Sequence, residues 1–307
     1  MTTSSDKPLI GILMMVGFCA LAPMGDAIAK YLGAAVPLAQ LLLARFAIQA
    51  ILLTMVVIAT GGSLRMPRKL FILTLLRTVL HIIGIGAMFL ALRYLPLADA
   101  LAIAFIMPFL LLLLGKVFAG ETIGWHRLVA CITGFMGTLL VIQPSFAEVG
   151  APALLPLLVA VSFALFMFVT RLIAQDIDPV GLQATSGVMA GAILLAAILI
   201  STPMNMADFR FADVTYAQGS LLIAIGIIGT LAHLLMTWSL RFAPSSTLAP
   251  VQYLEIPFAT LIGLIAFGDL PDGRAAAGML LTICAGLYVL HREAKLARQM
   301  TRATMTI

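Results

Sequence analysis

Asp26, Lys30, Arg45, Arg77, Asp99 and Glu255 each stand inside, or at the edge of, a long apolar run. A charged side chain at the centre of a membrane-crossing helix costs about 2.5–3.5 kcal/mol on insertion scales, so each must face a partner or a wet cavity. Glu255 lies between Pro250 and Pro257, which should bend or break their helix and free backbone carbonyls beside the carboxylate. Gln252 is three residues earlier and can share its face. That set suits a substrate or proton site, and also a structural hydrogen bond to another helix. Asp26 and Lys30 are four apart, acid first, the better order for a helical ion pair. They read either as a substrate contact or gate, or as a static pair with Lys30 reaching for the surface.

Arg77 and His81 are also four apart and share a helix face, with His81 the deeper of the two. Structural anchoring and substrate contact both fit them. Arg45 is too deep in its run for easy escape to water, and Asp26, Asp99 or Glu255 could neutralise it. Asp99 opens its run and reads as a cap or surface residue. His233, Thr237, Trp238 and Tyr253 fall in the last third of the chain. Aromatic faces can stack on a planar ring and a histidine can relay protons. Trp and Tyr also populate membrane interfaces without any ligand, and His233 can equally be a satisfied interior residue.

The elements that must position these groups follow from composition. Of 307 residues, 62% are hydrophobic and 10% charged, against about 45–50% and 25% in a soluble domain, so a water-soluble globule is excluded. Apolar windows fall at 8–31, 37–60, 70–92, 97–114, 128–142, 152–170, 180–200, 220–240, 248–268 and 275–290. At about 20 residues per crossing they predict ten transmembrane helices, the fifth and tenth extending into their flanks. Helix is expected throughout, because a bilayer leaves unpaired backbone groups no solvent and the runs are too long for barrel strands. Counting Lys and Arg outside the windows gives 12 on one side and, with Lys30 added if it snorkels to that surface, 4 on the other. The positive-inside rule then places both termini in the cytoplasm, and the net charge of +5 reflects those loops rather than a nucleic-acid partner.

The two halves echo one another. Ala91 to Phe109 reads ALRYLPLADALAIAFIMPF and Ser239 to Phe258 reads SLRFAPSSTLAPVQYLEIPF. With a one-residue slip, Arg93 aligns with Arg241, Tyr94 with Phe242, Pro96 with Pro244 and Pro108 with Pro257. Downstream, Gly120-Glu121 matches Gly268-Asp269 and Gly137 matches Gly286. The expected architecture is an all-α membrane protein of two five-helix repeats, residues 8–145 and 150–292. Five is odd, so the repeats are inverted, and a site is expected near the midplane between them.

On these residues, together with Arg45-Phe46 and Leu92-Arg93-Tyr94, the chain resembles the drug/metabolite transporter superfamily, specifically its ten-helix EamA-type members. Asp26-Ala27-Ile28-Ala29-Lys30 and Pro96-Leu97-Ala98-Asp99-Ala100 are similar to a bacterial subgroup containing riboflavin importers. The resemblance implies a secondary transporter of a small organic metabolite in the bacterial inner membrane, working by alternating access, with riboflavin uptake the preferred substrate reading. Export of amino acids or related metabolites, or S-adenosylmethionine uptake, are the alternatives it implies.

Other classes lack their signatures. Gly115-Lys116 is followed by Val117 and is not a phosphate-binding loop, and neither His-Glu-x-x-His nor a potassium-filter string occurs. No enzyme, no cofactor and no metal are expected. Cys19, Cys131 and Cys284 read as small packing residues. Gly187 with Gly191, and Gly134, Gly137, Gly278 and Gly286, read as points of close helix approach, within one copy or in a homodimer.

Overall fold

The computed structural model describes residues 7–120, 124–201, 206–269 and 272–305, and every regular element among these is helical. The rods α1 (Pro8–Leu32), α2 (Leu38–Ala59) and α3 (Arg68–Ala91) are uninterrupted. The fourth apolar run is broken. There α4 (Leu97–Ala104) stops at Phe105 and Ile106, and α5 (Met107–Ala119) restarts with Pro108 in its first turn. After α6 (Trp125–Val149), a 3-10 turn over Ala151–Leu154 leads into α7 (Leu155–Ile173), α8 (Pro179–Ser201) and α9 (Tyr216–Phe242). The ninth run is broken as well, into α10 (Ser245–Leu248), a 3-10 stretch over Ala249–Leu254 and α11 (Glu255–Phe267), before α12 (Gly273–Met305).

Local chemistry sets these limits. Pro37, Pro67, Pro96 and Pro244 precede α2, α3, α4 and α10, where a missing N–H and a fixed φ cost nothing. Thr215 opens α9 through a capping box with Gln218. The two broken runs end alike: Gly120 after α5 has φ 63° and Gly268 after α11 has φ 71°, the left-handed conformation that glycine adopts without a Cβ penalty. Glu121, the partner of Gly120 in the sequence motif, lies outside the described residues.

Eight helices, counting the broken runs and the 3-10 lead into α7 as continuous, are long and apolar enough to cross a membrane among the described residues. Two shorter apolar stretches, Leu128–Gly137 and Ala276–Tyr288, lie within α6 and α12. The chain is therefore a multi-pass, all-helical membrane protein. Leu13, Met55, Ile58, Ile72 and Ile265 point outward from the bundle, as lipid-facing positions do.

The main helix pairs are α1 with α9, α3 with α7, α2 with α8, and α6 with α12. The last two pairs need small residues. A Cβ on Gly137 would come within 2.5 Å of the Gly278 carbonyl oxygen, and one on Gly187 within 2.8 Å of the Ala50 nitrogen. Gly191, by contrast, faces open space. Cys19 and Cys131 are buried among these helices, whereas Cys284 is exposed.

Both ends of the bundle are tied. At one, the Lys7 backbone N–H donates to Phe242 (2.8 Å), and the Arg171 guanidinium donates to the Leu240 carbonyl (2.7 Å). At the other, Lys30 pairs with Asp269 and Arg93 with Asp208, both at 2.8 Å. Gln40 there exchanges two hydrogen bonds with the Ala212 backbone. These are called below the Lys7 end and the Lys30 end.

Candidate functional site

The two broken runs and α1, α2, α3, α7 and α9 surround a cavity in the interior. Its charged walls are Asp26, Arg45 and Glu255; His233 lies beside them, and Phe18, Phe89, Phe105 and Phe163 supply aromatic surface. The cavity volume is only about 60 Å³, room for about four to six waters at roughly 10–15 Å³ each.

Helix positions explain how these residues meet. Gly229, on α9, gives up its side-chain volume to Arg45, since a Cβ there would lie 2.8 Å from Arg45 Nε. The guanidinium can therefore reach across from α2, where Nη2 stands 2.9 Å from His233 Nδ1. The same Nδ1 lies 3.0 Å from the Gly229 carbonyl oxygen, which can only accept, so the guanidinium and the carbonyl meet at one ring nitrogen whose role depends on the tautomer. Arg45 Nη1 and His233 Nε2 are both buried without a partner. They are two unpaired polar atoms on residues that line the cavity. Glu255 is the first residue of α11, immediately after the 3-10 stretch, so the break in the ninth run sets its carboxylate at a helix start on the cavity wall. Among the described residues no ion pair joins Arg45 to Asp26, Asp99 or Glu255.

Toward the Lys7 end the cavity gives way to a buried polar layer. Arg77, fully buried on α3, donates from Nε to Thr170 Oγ1 (2.7 Å) and from Nη1 to Ser186 Oγ (2.7 Å), with Thr237 Oγ1 at 3.4 Å from Nη2. Its guanidinium carbon also lies 4.4 Å from the Phe166 ring centre. Gln183 donates to Thr237 Oγ1 and to the His233 carbonyl, and Gln49 donates to Gln183. Five helices, α2, α3, α7, α8 and α9, are thus stitched together through neutral hydroxyls and amides rather than carboxylates. Between this layer and the cavity sits His81, stacked on Phe166 with ring centres 4.4 Å apart and 4.4 Å from the His233 ring. Neither of its nitrogens has a hydrogen-bond partner.

The structure brings Asp26, Arg45, His233 and Glu255 to one cavity, with His81 and Arg77 behind it. The other sequence-derived candidates are elsewhere. Lys30 does not bond Asp26; it reaches Asp269, 239 residues away in sequence, with the Phe267 ring 4.7 Å from its nitrogen. Asp99 sits in the first turn of α4. Trp238 packs on a small apolar cluster with Leu53, Val57 and Leu234. The Tyr253 hydroxyl donates to the Cys131 carbonyl, and the Gln252 amide contacts Met167 sulfur; neither residue lines the cavity. Sequence reading missed the four phenylalanine walls, which resemble any lipid-facing Phe. It also missed Gln49, Thr170, Gln183 and Ser186, whose signal was available: uncharged polar groups deep inside apolar runs.

The model of the EamA-like transporter family matches residues 9–143 and again 151–291. Among characterised proteins, the chain is 27% identical over 249 residues to a riboflavin transporter of Brucella anthropi, covering 81% of this chain and 87% of that one. It is 26% identical over 270 residues to an S-adenosylmethionine uptake transporter of Rickettsia bellii, covering 88% and 89%. A solved crystal structure superposes with a TM-score of 0.69 at 20% identity, over 95% of this chain and 98% of the other, a likeness of fold.

Proposed function

From the premise that the chain belongs to the EamA-like transporter family, we propose that it carries riboflavin into the cell by alternating access around the Asp26–Arg45–Glu255 cavity. The carrier is two inverted five-helix units, residues 8–145 and 150–292, making ten crossings of a bacterial inner membrane with both termini cytoplasmic. The pattern of helix pairs supports the inversion. Exchanging each helix for its counterpart five crossings later turns the α1–α9 pair into α7–α3 and leaves α2–α8 and α6–α12 unchanged. The broken fourth and ninth runs, each starting after a proline and closing on a left-handed glycine, occupy matching places. Such discontinuous helices build substrate sites near the midplane of many carriers.

One observation carries the reading: both units contribute to a single cavity that combines aromatic walls, two carboxylates and two unpartnered polar atoms, Arg45 Nη1 and His233 Nε2. Aromatic faces suit the planar flavin ring, while the polar groups suit its hydrogen-bonding edge. In this conformation the Arg77 layer closes the route to the Lys7 end, and that layer must part for release on the other side. Expression in a riboflavin-requiring bacterium at low riboflavin tests the proposal. Restored growth is expected; no growth, with the protein confirmed in the membrane, rules out riboflavin uptake. S-adenosylmethionine uptake is the second reading. The specific observation in its favour is that one guanidinium and two carboxyl groups line the same cavity, a set that complements an amino acid group carrying an additional positive charge.

A further inference from the structure

Among the described residues no protein group lies within hydrogen-bond distance of either nitrogen of His81, which is fully buried on α3. Rings surround it: Phe166 and His233 stand 4.4 Å away between centres, Phe46 5.1 Å and Phe163 5.9 Å. A phenylalanine could make the same ring contacts without stranding a polar atom. In every protonation state an imidazole carries at least one N–H, so a donor is left unpaired here whichever form is present. Arg77, one turn away on the same helix, directs its own donors to Thr170, Ser186 and Thr237. A buried polar group left bare in one conformation calls for a use in another.

The place of His81 in the bundle indicates that use. Beyond it, toward the Lys7 end, comes the Arg77 layer with Gln49, Gln183 and Thr237. Next is the small apolar cluster of Leu53, Val57 and Leu234, on which Leu64, Val180 and Trp238 pack. Val57, Leu64 and Val180 also wall a pocket of about 470 Å³, where the α2–α3 connection meets the α7–α8 connection and Thr60, Arg65 and Asp178 supply polar groups. Cavity, imidazole, polar layer, apolar plug and pocket therefore succeed one another toward one end of the bundle. We infer that His81 is the polar contact a solute meets on leaving the cavity for the Lys7 end, its nitrogens being bare in this conformation because their partner is the passing molecule. The inference deepens the proposed function and rests on it for the identity of the solute. A planar solute with polar atoms on its edge suits such a passage, since it can slide between rings and bond the imidazole.

The full-length protein in lipid vesicles tests this with His81→Phe, which keeps a ring and removes both nitrogens. The apparent unfolding temperature should rise by about 2 °C or more, since a stranded polar atom is gone. Riboflavin turnover should fall at least about tenfold while equilibrium affinity stays within about threefold, because His81 does not line the cavity. His81→Gln, which keeps a donor and an acceptor, should recover turnover relative to His81→Phe without its gain in stability. Position 81 is also probed with no solute present, in protein carrying His81→Cys, Cys19→Ala and Cys284→Ala. In vesicles that expose the Lys7 end, a membrane-impermeant thiol reagent should modify the new thiol at least about tenfold faster than the buried Cys131, and faster than in vesicles of opposite orientation. The labelling result stands alone should His81→Phe not fold. Unchanged turnover in His81→Phe, a loss of stability or affinity as large as its loss of turnover, or modification at position 81 no faster than at Cys131 overturns the inference. Should wild-type vesicles take up neither riboflavin nor S-adenosylmethionine, the substrate assignment falls, and the unfolding and labelling results decide the role of His81.

Discussion

Replacing Ser186 by alanine isolates one bond of the buried arginine layer. Arg77 Nη1 donates to Ser186 Oγ at 2.7 Å, and both residues are fully buried. A hydrogen bond to a charged group is worth about 1.5–3 kcal/mol in soluble proteins. Interhelical bonds measured in membranes average about 0.6 kcal/mol and reach about 1.7, because the disassembled helices find other partners. Arg77 lies in the third turn of α3, close enough to the Lys7 end for its guanidinium to reach the headgroups once the bundle comes apart. That escape reduces the net value, which places the expected cost of Ser186→Ala at about 1–2 kcal/mol. In an Arg77→Met background the same change should cost less than about 0.5 kcal/mol, since the donor is gone and the serine is then a small polar group replaced by a methyl. Equilibrium unfolding in mixed micelles, followed by circular dichroism for all four members of the cycle, gives the coupling directly. An identical cost of Ser186→Ala in both backgrounds would show that the layer holds no energy in this bond and refute the reasoning.

Gly229→Ala should displace the Arg45 guanidinium, because the new methyl would sit 2.8 Å from Nε; uptake into proteoliposomes is expected to fall at least about tenfold, a change of only about 1.4 kcal/mol. Lys30→Gln and Asp269→Asn each break a partly exposed ion pair, so the unfolding free energy should change by less than about 1 kcal/mol. The charge-swapped pair Lys30→Asp with Asp269→Lys should recover whatever either reversal loses in unfolding assays. Gly137→Ala drives a methyl against the Gly278 carbonyl oxygen of α12, and overpacking of this kind should destabilise the bundle by about 1–3 kcal/mol in the same assay. Glu255→Gln is expected to abolish accumulation of solute against a gradient while the protein elutes as a folded species on size exclusion; unchanged accumulation removes Glu255 from coupling.

The rods were legible because lipid demands long apolar runs, and their limits follow prolines and glycines that act locally. The break near Glu255 was legible too, from Pro250 and Pro257. The equivalent break at Phe105 and Ile106 was not, since the window 97–114 is apolar from end to end and only Pro108 marks the restart. Pairing was the least readable part. Local spacing favours Asp26 with Lys30, whereas tertiary packing delivers Asp269 to Lys30 and leaves Asp26 on the cavity wall. Arg45 likewise meets an imidazole instead of a carboxylate, a choice that depends on the missing side chain of Gly229, 184 positions further along the chain. The intramembrane charges thus identified the neighbourhood of the site, and uncharged neighbours decided which of them face inward.

The size of the chamber between the aromatic walls bears on how affinity should be interpreted. Room for a handful of waters does not hold the proposed flavin, so binding it requires the cavity walls, to which Phe18 on α1 and Phe163 on α7 belong, to move apart. Every 1.4 kcal/mol of work in that expansion weakens the apparent affinity about tenfold. Trimming one of these rings to leucine should therefore tighten equilibrium binding while slowing turnover, because a chamber that is already dilated holds its passenger without being driven to collapse behind it.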